Sequence, residues 1–306
     1  MTVSDKQSAW LHRIPVPRVQ PLQLTLFAQN QVKVSLLRLD QIDEGLSGNK
    51  WFKLKYNLQH AVQHGYRQLL SFGGAYSNHI HALAWAGARL GVPTVGIIRG
   101  EPVYATNPTL TDAQRWGMQL QFVDRKTYRL RYQQDYLDQL QERYPDSWIV
   151  PEGGSNALAL KGCSEILSAD LLHAVQPDCV ILPCGTGGTL AGLVQSWPEL
   201  NILGVPVLKQ AAFLQQDIQQ LLDQVGCHNA NRWQLDLHGA FGGYAKTCPE
   251  LETFMAQFYR LTGIELDVVY TGKMLLRLCQ LIETGYFSPG SSILALHTGG
   301  LQGNRG

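Results

Sequence analysis

Two stretches of the chain combine reactive or anion-binding groups with small residues, and the first surrounds a lysine. In the stretch SGNKWFKLK, the primary amine of Lys50 comes directly behind Gly48 and Asn49. An exposed helix would account for Lys53 and Lys55, but it does not account for the short polar lead-in to Lys50. A lysine considered alone is usually a solvated surface residue, so a chemical role for Lys50 depends on the rest of the chain.

The second stretch is glycine-rich and lies between a strand pattern and a helical pattern. In PCGTGGTLAG (183–192), the glycines let backbone N–H groups converge on an anion, and the Thr186 and Thr189 hydroxyls add donors. No Gly-Lys-Ser/Thr follows, as a Walker loop requires, and Leu190 stands where a dinucleotide-binding loop needs its third glycine. A tight strand–helix turn is the structural alternative. We favour a loop for one phosphate.

The elements that must position these stretches alternate between short apolar runs and helical patterns. One strand pattern ends at Gly73-Gly74, and a helix follows it as far as the stop at Gly91-Val92-Pro93. Further predicted strands are PTVGIIRG, PDCVILP, NILGVPVL and SSILALHTGG, whereas TLAGLVQSW and the Gln-rich, polar stretch 209–224 are predicted helices. This alternation indicates an α/β protein with parallel sheets, and with functional groups at the carboxyl ends of strands.

The size and composition of the chain limit the classes of protein to which it can belong. With 306 residues, 45% of them hydrophobic, the chain exceeds what one core usually serves, so we expect two domains. Lys and Arg total 25 against 24 for Asp and Glu, which leaves no electrostatic footprint for nucleic acid or an anionic membrane. No apolar run approaches bilayer length, and the N-terminus lacks a signal-peptide core. The six cysteines form no CxxC pair, which favours reduced, mostly buried thiols and a cytoplasmic location.

A lone phosphate loop combined with a candidate lysine points to one kind of cofactor. Pyridoxal 5'-phosphate needs a lysine amine for its aldehyde, a cup for its phosphate and a partner for its pyridine nitrogen. This requirement explains why Lys50 would lie behind small polar residues. The sequence therefore predicts a pyridoxal-phosphate site.

Six motifs, spread in order over nearly the whole chain, resemble those of one family. They are SGNKWFKL, SFGGAYSNHIHALAWAGARLGV, PEGGSNALALKG, GTGGTLAGL, VVYTGKM and LHTGG. Together they make the sequence similar to the fold-type II, pyridoxal-phosphate-dependent D-cysteine desulfhydrases and 1-aminocyclopropane-1-carboxylate deaminases. Each motif is weak alone, and their shared order makes the resemblance specific.

The resemblance implies an architecture as well as a cofactor. It implies a two-domain α/β fold of the tryptophan synthase β type, with parallel-rich sheets and helices on both faces. Residues 1–53 and 159–306 would form a large cofactor-binding domain, and residues 54–158 a smaller α/β domain. The active site would lie in the cleft between them and bind a small amino acid, with no metal. We expect a homodimer.

The resemblance also implies residue roles. Lys50 would form the Schiff base with the cofactor, Asn49 would lie beside it, and Asn78 would hydrogen-bond the phenolic oxygen. Ser77 would face the substrate carboxylate or act in proton transfer, and helix capping is the alternative for both Ser77 and Asn78. The phosphate would be held by Gly185, Thr186, Gly187, Gly188 and Thr189.

The two activities of the family differ at two positions near the matched active-site tyrosines, Tyr244 and Tyr270. The ring-opening deaminases carry a glutamate directly after the residue that matches Tyr270, and a leucine where this chain has Thr298. This chain has Thr271 and Thr298, which is the desulfhydrase pattern. A carboxylate beside the pyridine nitrogen keeps it protonated and makes a strong electron sink, whereas a threonine hydroxyl leaves a weaker one. A weaker sink suffices for losing a good leaving group such as thiolate.

We therefore predict a lyase that acts on a D-cysteine-like amino acid. Lys50 or Ser77 would remove the Cα proton, and β-elimination would give pyruvate, ammonia and a group such as sulfide. One alternative is a ring-opening deaminase, which Thr271 and Thr298 disfavour. Another is a cofactor-binding protein without catalysis, which is disfavoured because storage needs neither Ser77 nor Tyr270.

Departures from the family pattern affect the choice of substrate. Members commonly read Gln-Ser-Asn-x-x-Arg where this chain has Tyr76 at the start and His81 at the end, and the region from Val205 to Gly239 is shorter than usual. These changes put D-cysteine itself in doubt. A zinc site at His79 and His81 is not expected, because residues two apart on a helix point to different faces.

Overall fold

The computed structural model describes residues 8–228 and 231–305, in which ten strands form two sheets. In chain order the strands are β1 (Arg18–Leu22), β2 (Lys33–Arg38), β3 (Gln68–Gly74), β4 (Thr94–Arg99), β5 (Met118–Val123), β6 (Ser147–Val150), β7 (Cys179–Cys184), β8 (Ile202–Pro206), β9 (Trp233–Leu235) and β10 (Ser292–His297).

The larger sheet has six strands in the order β1-β2-β10-β7-β8-β9. All neighbours pair in parallel except β1 and β2, which are antiparallel. The smaller sheet has the order β5-β4-β3-β6 and is parallel throughout. The five strands predicted from apolar runs, β3, β4, β7, β8 and β10, lie at the centres of the two sheets, where both faces are covered.

In the described part of the chain, twelve α-helices connect and cover the strands. They are α1 (Thr25–Gln29), α2 (Asn49–Gln63), α3 (Asn78–Leu90), α4 (Pro108–Arg115), α5 (Arg125–Arg129), α6 (Gln134–Arg143), α7 (Ala157–Cys163), α8 (Ala169–Val175), α9 (Gly188–Ser196), α10 (Phe213–Gln224), α11 (Pro249–Thr262) and α12 (Thr271–Glu283). No helix among the described residues has the length and apolar character needed to cross a membrane.

The predicted helices form. The Gln-rich stretch supplies α10, in which most glutamines are exposed, and Leu214, Ile218 and Leu222 form a buried face because the apolar residues recur at helical spacing. One prediction about exposure is wrong. Lys53 and Lys55, predicted on an exposed helix, are each only 3% exposed. Helix α2 is covered on both sides, so its lysines must find partners inside the protein.

Helix α2 also connects the parts of the core. One apolar cluster includes Phe52 on α2, Leu69 on β3 and Leu182 on β7, so it extends from one sheet to the other. Helix α7 packs against α2 so closely that a Cβ on Gly162 would lie 1.8 Å from the Phe52 carbonyl oxygen. Helix α2 crosses the predicted domain limit at residue 53, and the division into domains stays a prediction.

The cysteines are less buried than expected. Cys163 and Cys184 are buried, whereas Cys179, Cys227, Cys248 and Cys279 are half-buried.

Candidate active site

The first turn of α2 holds Lys50 against the segment that follows β10. Gly48 has a φ of +70°, and a Cβ on it would lie 2.0 Å from the Thr298 carbonyl oxygen. The backbone N–H of Asn49 donates a hydrogen bond of 3.2 Å to the same oxygen. Only glycine permits both the left-handed backbone and this close approach. This contact, here called the backbone clasp, brings Lys50 and Thr298 to one place.

The amine of Lys50 lies in an environment that makes it reactive. Its Nζ donates to Asn49 Oδ1 at 2.8 Å, and Asn49 Nδ2 donates in turn to Thr189 Oγ1 at 2.9 Å. Burial first, and then the positive charge of Lys53, lower the pKa of Lys50 from 10.5 to about 7. A large share of the amine is therefore neutral at physiological pH, and only a neutral amine can attack an aldehyde.

The glycine loop between β7 and α9 makes an anion-binding cup. Gly187 has a φ of +74° and precedes α9, so the backbone turns sharply at the helix N-terminus. A Cβ on Gly188 would lie 2.6 Å from Ser155 Oγ and 3.1 Å from Lys53 Nζ. The absence of a side chain at Gly188 therefore leaves the backbone open towards a hydroxyl and a cation.

Lys53 is a site residue that the sequence interpretation missed. Its Nζ donates to Ser155 Oγ at 2.8 Å and to Thr186 Oγ1 at 3.2 Å, and no carboxylate pairs with it among the described residues. Burial lowers the pKa of Lys53 to about 8. A buried ammonium with only hydroxyl partners is unfavourable unless an anion joins it, and a phosphate would meet that need. The signal was its position three residues after Lys50, on the same face of the helix.

The first turn of α3 carries the predicted polar pair. Ser77 caps the helix, because its Oγ accepts a hydrogen bond of 3.3 Å from the Ile80 amide. Ser77 is 9% exposed, so capping the helix does not exclude contact of its hydroxyl with a ligand. Asn78 Oδ1 accepts a hydrogen bond of 2.7 Å from Gln302 Nε2, a partner that the sequence did not indicate.

The two histidines on α3 bind different partners. His79 Nε2 lies 2.8 Å from Ser71 Oγ, and His81 Nε2 lies 3.0 Å from Asp112 Oδ2. Burial, followed by the charges of Lys50 and Lys53, lowers the pKa of His79 well below its usual value, so its ring is neutral. No group of metal-binding side chains forms here or elsewhere in residues 8–228 and 231–305.

Tyr244 and Tyr270 lie together on another side of Lys50. Their ring centroids are 6.2 Å apart in an edge-on arrangement, and Lys50 Nζ is 6.0 Å from the centre of the Tyr270 ring. A Cβ on Gly185 would lie 3.2 Å from the Tyr270 ring, so the phosphate loop touches the tyrosine. Burial raises the pKa of both phenols, and both stay protonated as possible donors.

A buried carboxylate, also missed from the sequence, shapes the start of α12. Asp267 accepts hydrogen bonds from the backbone amides of Val269, Tyr270 and Thr271, at 3.1, 2.6 and 2.8 Å. It therefore fixes the backbone that presents Tyr270 and Thr271. Thr271 Oγ1 is buried and has no hydrogen-bond partner in the part of the chain that the structure describes.

A cavity of about 200 Å³ opens beside these groups and includes Lys50, Asn78 and Thr298 in its lining. The residues present fit pyridoxal phosphate. A neutral amine is available for the aldehyde, a glycine cup with Lys53 for the phosphate, and the unpaired Thr271 hydroxyl for the pyridine nitrogen. Buried polar atoms that lack partners are uncommon, and a bound heterocycle would account for this one.

Comparison with known proteins decides the family. Residues 16–299 match the family described as "Pyridoxal-phosphate dependent enzyme". The chain belongs to this family. Its members depend on pyridoxal phosphate, so the predicted cofactor is confirmed.

Individual relatives support the predicted subgroup. A Pyrococcus abyssi protein provisionally named a 1-aminocyclopropane-1-carboxylate deaminase is 27% identical, over 97% of this chain and 95% of its own. A Klebsiella pneumoniae D-cysteine desulfhydrase is 27% identical, over 88% of this chain and 87% of its own. A solved structure described as a homologue of 1-aminocyclopropane-1-carboxylate deaminase is 25% identical with a TM-score of 0.81, covering 99% of this chain and 97% of its own. The predicted resemblance and the fold-type II α/β class are confirmed.

The structure brings the predicted site residues to one region, and their individual roles stay predictions. Lys50, Asn49, Thr189 and Thr298 are linked by direct contacts. The homodimer and the cytoplasmic location also stay predictions.

Proposed function

We propose that the protein is a lyase that removes the β-substituent and the amino group of a small, D-cysteine-like amino acid. The products are pyruvate, ammonia and a leaving group such as sulfide. The observation that carries the proposal is the buried hydroxyl of Thr271, at the position where a ring-opening deaminase has a carboxylate.

The surroundings of Thr271 support this choice over ring opening. The nearby carboxylate, Asp267, is engaged by three backbone amides, and burial raises its pKa. It is therefore poorly placed to act as a free anion beside a pyridine nitrogen. A hydroxyl at that nitrogen favours reactions with a good leaving group.

The side chains have distinct tasks in this reaction. Bound pyridoxal phosphate supplies the electron sink that acidifies the Cα–H bond of an amino acid. Lys50 would hold the cofactor, and its amine would take the Cα proton of the substrate, because a lysine with a pKa near 7 can act as a base. Ser77, at the N-terminus of α3, binds the substrate carboxylate with the help of the helix dipole.

The tyrosines complete the substrate site. Tyr270 lies over Lys50, and its phenol is protonated at neutral pH. Tyr244 packs edge-on against it. Either phenol can donate a hydrogen bond to a leaving sulfur and so stabilise the charge that develops there.

Ring opening of 1-aminocyclopropane-1-carboxylate is the second candidate. It is favoured by the names of the Pyrococcus abyssi relative and of the similar solved structure. It would give 2-oxobutyrate instead of pyruvate, so the two reactions are separable in one assay.

The test is a screen of the purified protein, loaded with pyridoxal phosphate, against D- and L-amino acids with β-leaving groups and against the cyclopropane substrate. We expect pyruvate from D-cysteine or a close β-substituted analogue, and no appreciable 2-oxobutyrate. Lys50→Ala is the control for cofactor-only chemistry. Efficient 2-oxobutyrate formation by the wild-type protein would overturn the proposal in favour of the deaminase.

A further inference from the structure

A short segment after β10 contributes to the lining of the cavity. This segment, residues 301–305, is here called the C-terminal strap, and its 3-10 helix spans Leu301–Asn304. Leu301 and Gln302 line the same cavity as Lys50. The strap is therefore part of the site, although none of the sequence motifs includes Gln302.

The strap is anchored at its far end by side chains. Asn304 Nδ2 donates to Glu265 Oε1 at 3.0 Å and to the Leu266 carbonyl oxygen at 2.9 Å. Arg305 pairs with Asp112 of α4 at 2.5 Å. These contacts fix the backbone two and three residues after Gln302 and so limit how far Gln302 can move.

Asp112 connects the strap to α3 a second time. Besides Arg305, it binds His81 Nε2 at 3.0 Å, and His81 lies one turn after Asn78. The strap thus reaches the first turn of α3 directly through Gln302 and indirectly through Asp112. Two separate contacts to one helical turn limit how far the strap and the turn can move apart.

The direct contact controls the orientation of an amide. Gln302 Nε2 donates to Asn78 Oδ1 at 2.7 Å. An amide side chain has an acceptor on one side and a donor on the other, so holding the oxygen determines where the nitrogen points. No acceptor binds Asn78 Nδ2 among the residues that the structure describes, and a Cβ on Gly300 would lie 2.6 Å from it. Glycine at 300 therefore keeps this donor unobstructed.

We propose that Gln302 is a positioning residue that turns the Asn78 amide so that Nδ2 donates to the phenolic oxygen of bound pyridoxal phosphate. The inference rests on the proposed role of Asn78 as a cofactor ligand. Without the Gln302 donor, the Asn78 amide can rotate and offer its oxygen to the cofactor instead of its N–H group. Two oxygens facing each other repel, and the phenolic oxygen loses its donor.

A pH titration of the bound cofactor's absorbance tests this role. An N–H donor stabilises the anionic form of the phenolic oxygen, so its loss raises the pH at which the chromophore changes. For Gln302→Leu we expect a higher midpoint and a cofactor Kd raised by roughly three- to tenfold. Asn304→Ala, which loosens the strap without touching Asn78, should shift the midpoint in the same direction by less.

A double-mutant cycle separates action through Asn78 from a merely structural effect. If Gln302 acts through Asn78, then Gln302→Leu adds nothing to the midpoint in an Asn78→Ala background. A packing role would lower the melting temperature and leave the midpoint unchanged. Gln134→Leu is the matched control, because Gln134 on α6 also donates one side-chain hydrogen bond, to Asp138 at 2.7 Å.

Three results would overturn the inference. The midpoint could stay unchanged in Gln302→Leu, or it could shift equally in the presence and absence of Asn78. If Asn78→Ala alone leaves the midpoint unchanged while the protein stays coloured, Asn78 is not a cofactor ligand, and its proposed role falls together with the inference. If the purified wild-type protein, loaded with pyridoxal phosphate, lacked the absorbance of bound cofactor, this would instead count against the proposed function.

Discussion

The phosphate side of the site and its tyrosine side are built in different ways. On the phosphate side, Thr186 lies between β7 and α9, Gly188 begins α9, and Lys53 extends from α2. On the tyrosine side, Tyr244 lies in an irregular segment between β9 and α11, where Phe241 and Ala245 have positive φ angles without being glycine. The predicted phosphate loop therefore lies on regular elements, whereas the predicted active-site residue Tyr244 lies in an irregular segment.

The irregular segment is held by a buried cation. Lys273 on α12 donates to the carbonyl oxygens of Ala240 and Gly243, at 2.9 and 2.5 Å, and burial lowers the pKa of Lys273 to about 8. These two contacts tie the Tyr244 segment to the helix that begins beside Tyr270. The predicted phosphate side and the tyrosine side thus have separate side-chain supports, and we expect mutations to affect cofactor binding and substrate placement separately.

The largest expected effect is that of removing the amine between the two sides. In Lys50→Ala, the purified protein should lose the absorbance of covalently bound cofactor. Turnover should fall by at least about 10²–10⁴-fold, because the variant lacks both the amine that attaches the cofactor and the base that removes the Cα proton. Absorbance and borohydride trapping measure this, with Lys126→Ala on the surface as control. Cofactor still trapped on Lys50→Ala would transfer the attachment to another lysine, and Lys53 is the first to test.

The second-largest effect is expected from a substitution that changes the phosphate side alone. Lys53→Met removes the cation from the cup, and we expect the Kd of pyridoxal phosphate to rise roughly 10- to 100-fold, the range for a hydrogen bond to a charged group. Equilibrium titration of the cofactor-free protein measures it. The ratio of the KM values of competing substrates should stay constant, and a changed ratio would mean that Lys53 also contacts substrate.

The Lys53→Met substitution should also change the pH dependence of cofactor capture. In the wild-type protein, cofactor capture should accelerate as pH rises through about 7, where Lys50 loses its proton, and level off above it. The charge of Lys53 helps to depress the pKa of Lys50, so Lys53→Met should move this midpoint upward. Stopped-flow absorbance checks it, and a midpoint that stays in place or falls would contradict the assigned geometry.

A smaller effect is expected at Ser77, which caps α3. Ser77→Ala removes a helix cap, at a typical cost of about 0.5–2 kcal/mol of stability. If Ser77 also binds substrate, kcat/KM should fall by at least roughly tenfold while the cofactor stays bound. Steady-state kinetics and thermal melting on the same preparation separate the two roles. A less stable variant with wild-type kcat/KM would leave Ser77 with capping alone.

The smallest effect sharpens the comparison on the tyrosine side. Lys273→Met removes the donors to Ala240 and Gly243 but keeps the length of the side chain. We expect kcat/KM to fall by about two- to tenfold, since up to two hydrogen bonds no longer hold the Tyr244 segment, and the Kd of the cofactor to stay unchanged. A matching loss of cofactor affinity would show that the two sides share a support after all.

The sequence predicted the strands and the glycine loop of this site better than the side-chain contacts that hold its parts together. Apolar runs identified the central strands, and glycine patterns located the phosphate loop, because both follow from local backbone preferences. The antiparallel pairing of β1 with β2 was not predicted, since it depends on packing between segments that carry no motif. Lys53 and Gln302 were missed for the same reason, because their partners lie far away in the chain. Asp267 binds amides only two to four residues ahead, and it was missed because it lies just outside the VVYTGKM motif.

The backbone clasp between Gly48 and Thr298 has a consequence for how such an enzyme can diverge. The contact uses the Asn49 amide and the Thr298 carbonyl oxygen, so it does not depend on which side chain residue 298 carries. Residue 298 can therefore be exchanged during evolution, or by an engineer, while the lysine keeps its place. Gly48 has no such freedom, because any side chain there would collide with the carbonyl oxygen. Substitutions that change the chemistry of the site are therefore compatible with this contact at residue 298 and not at residue 48.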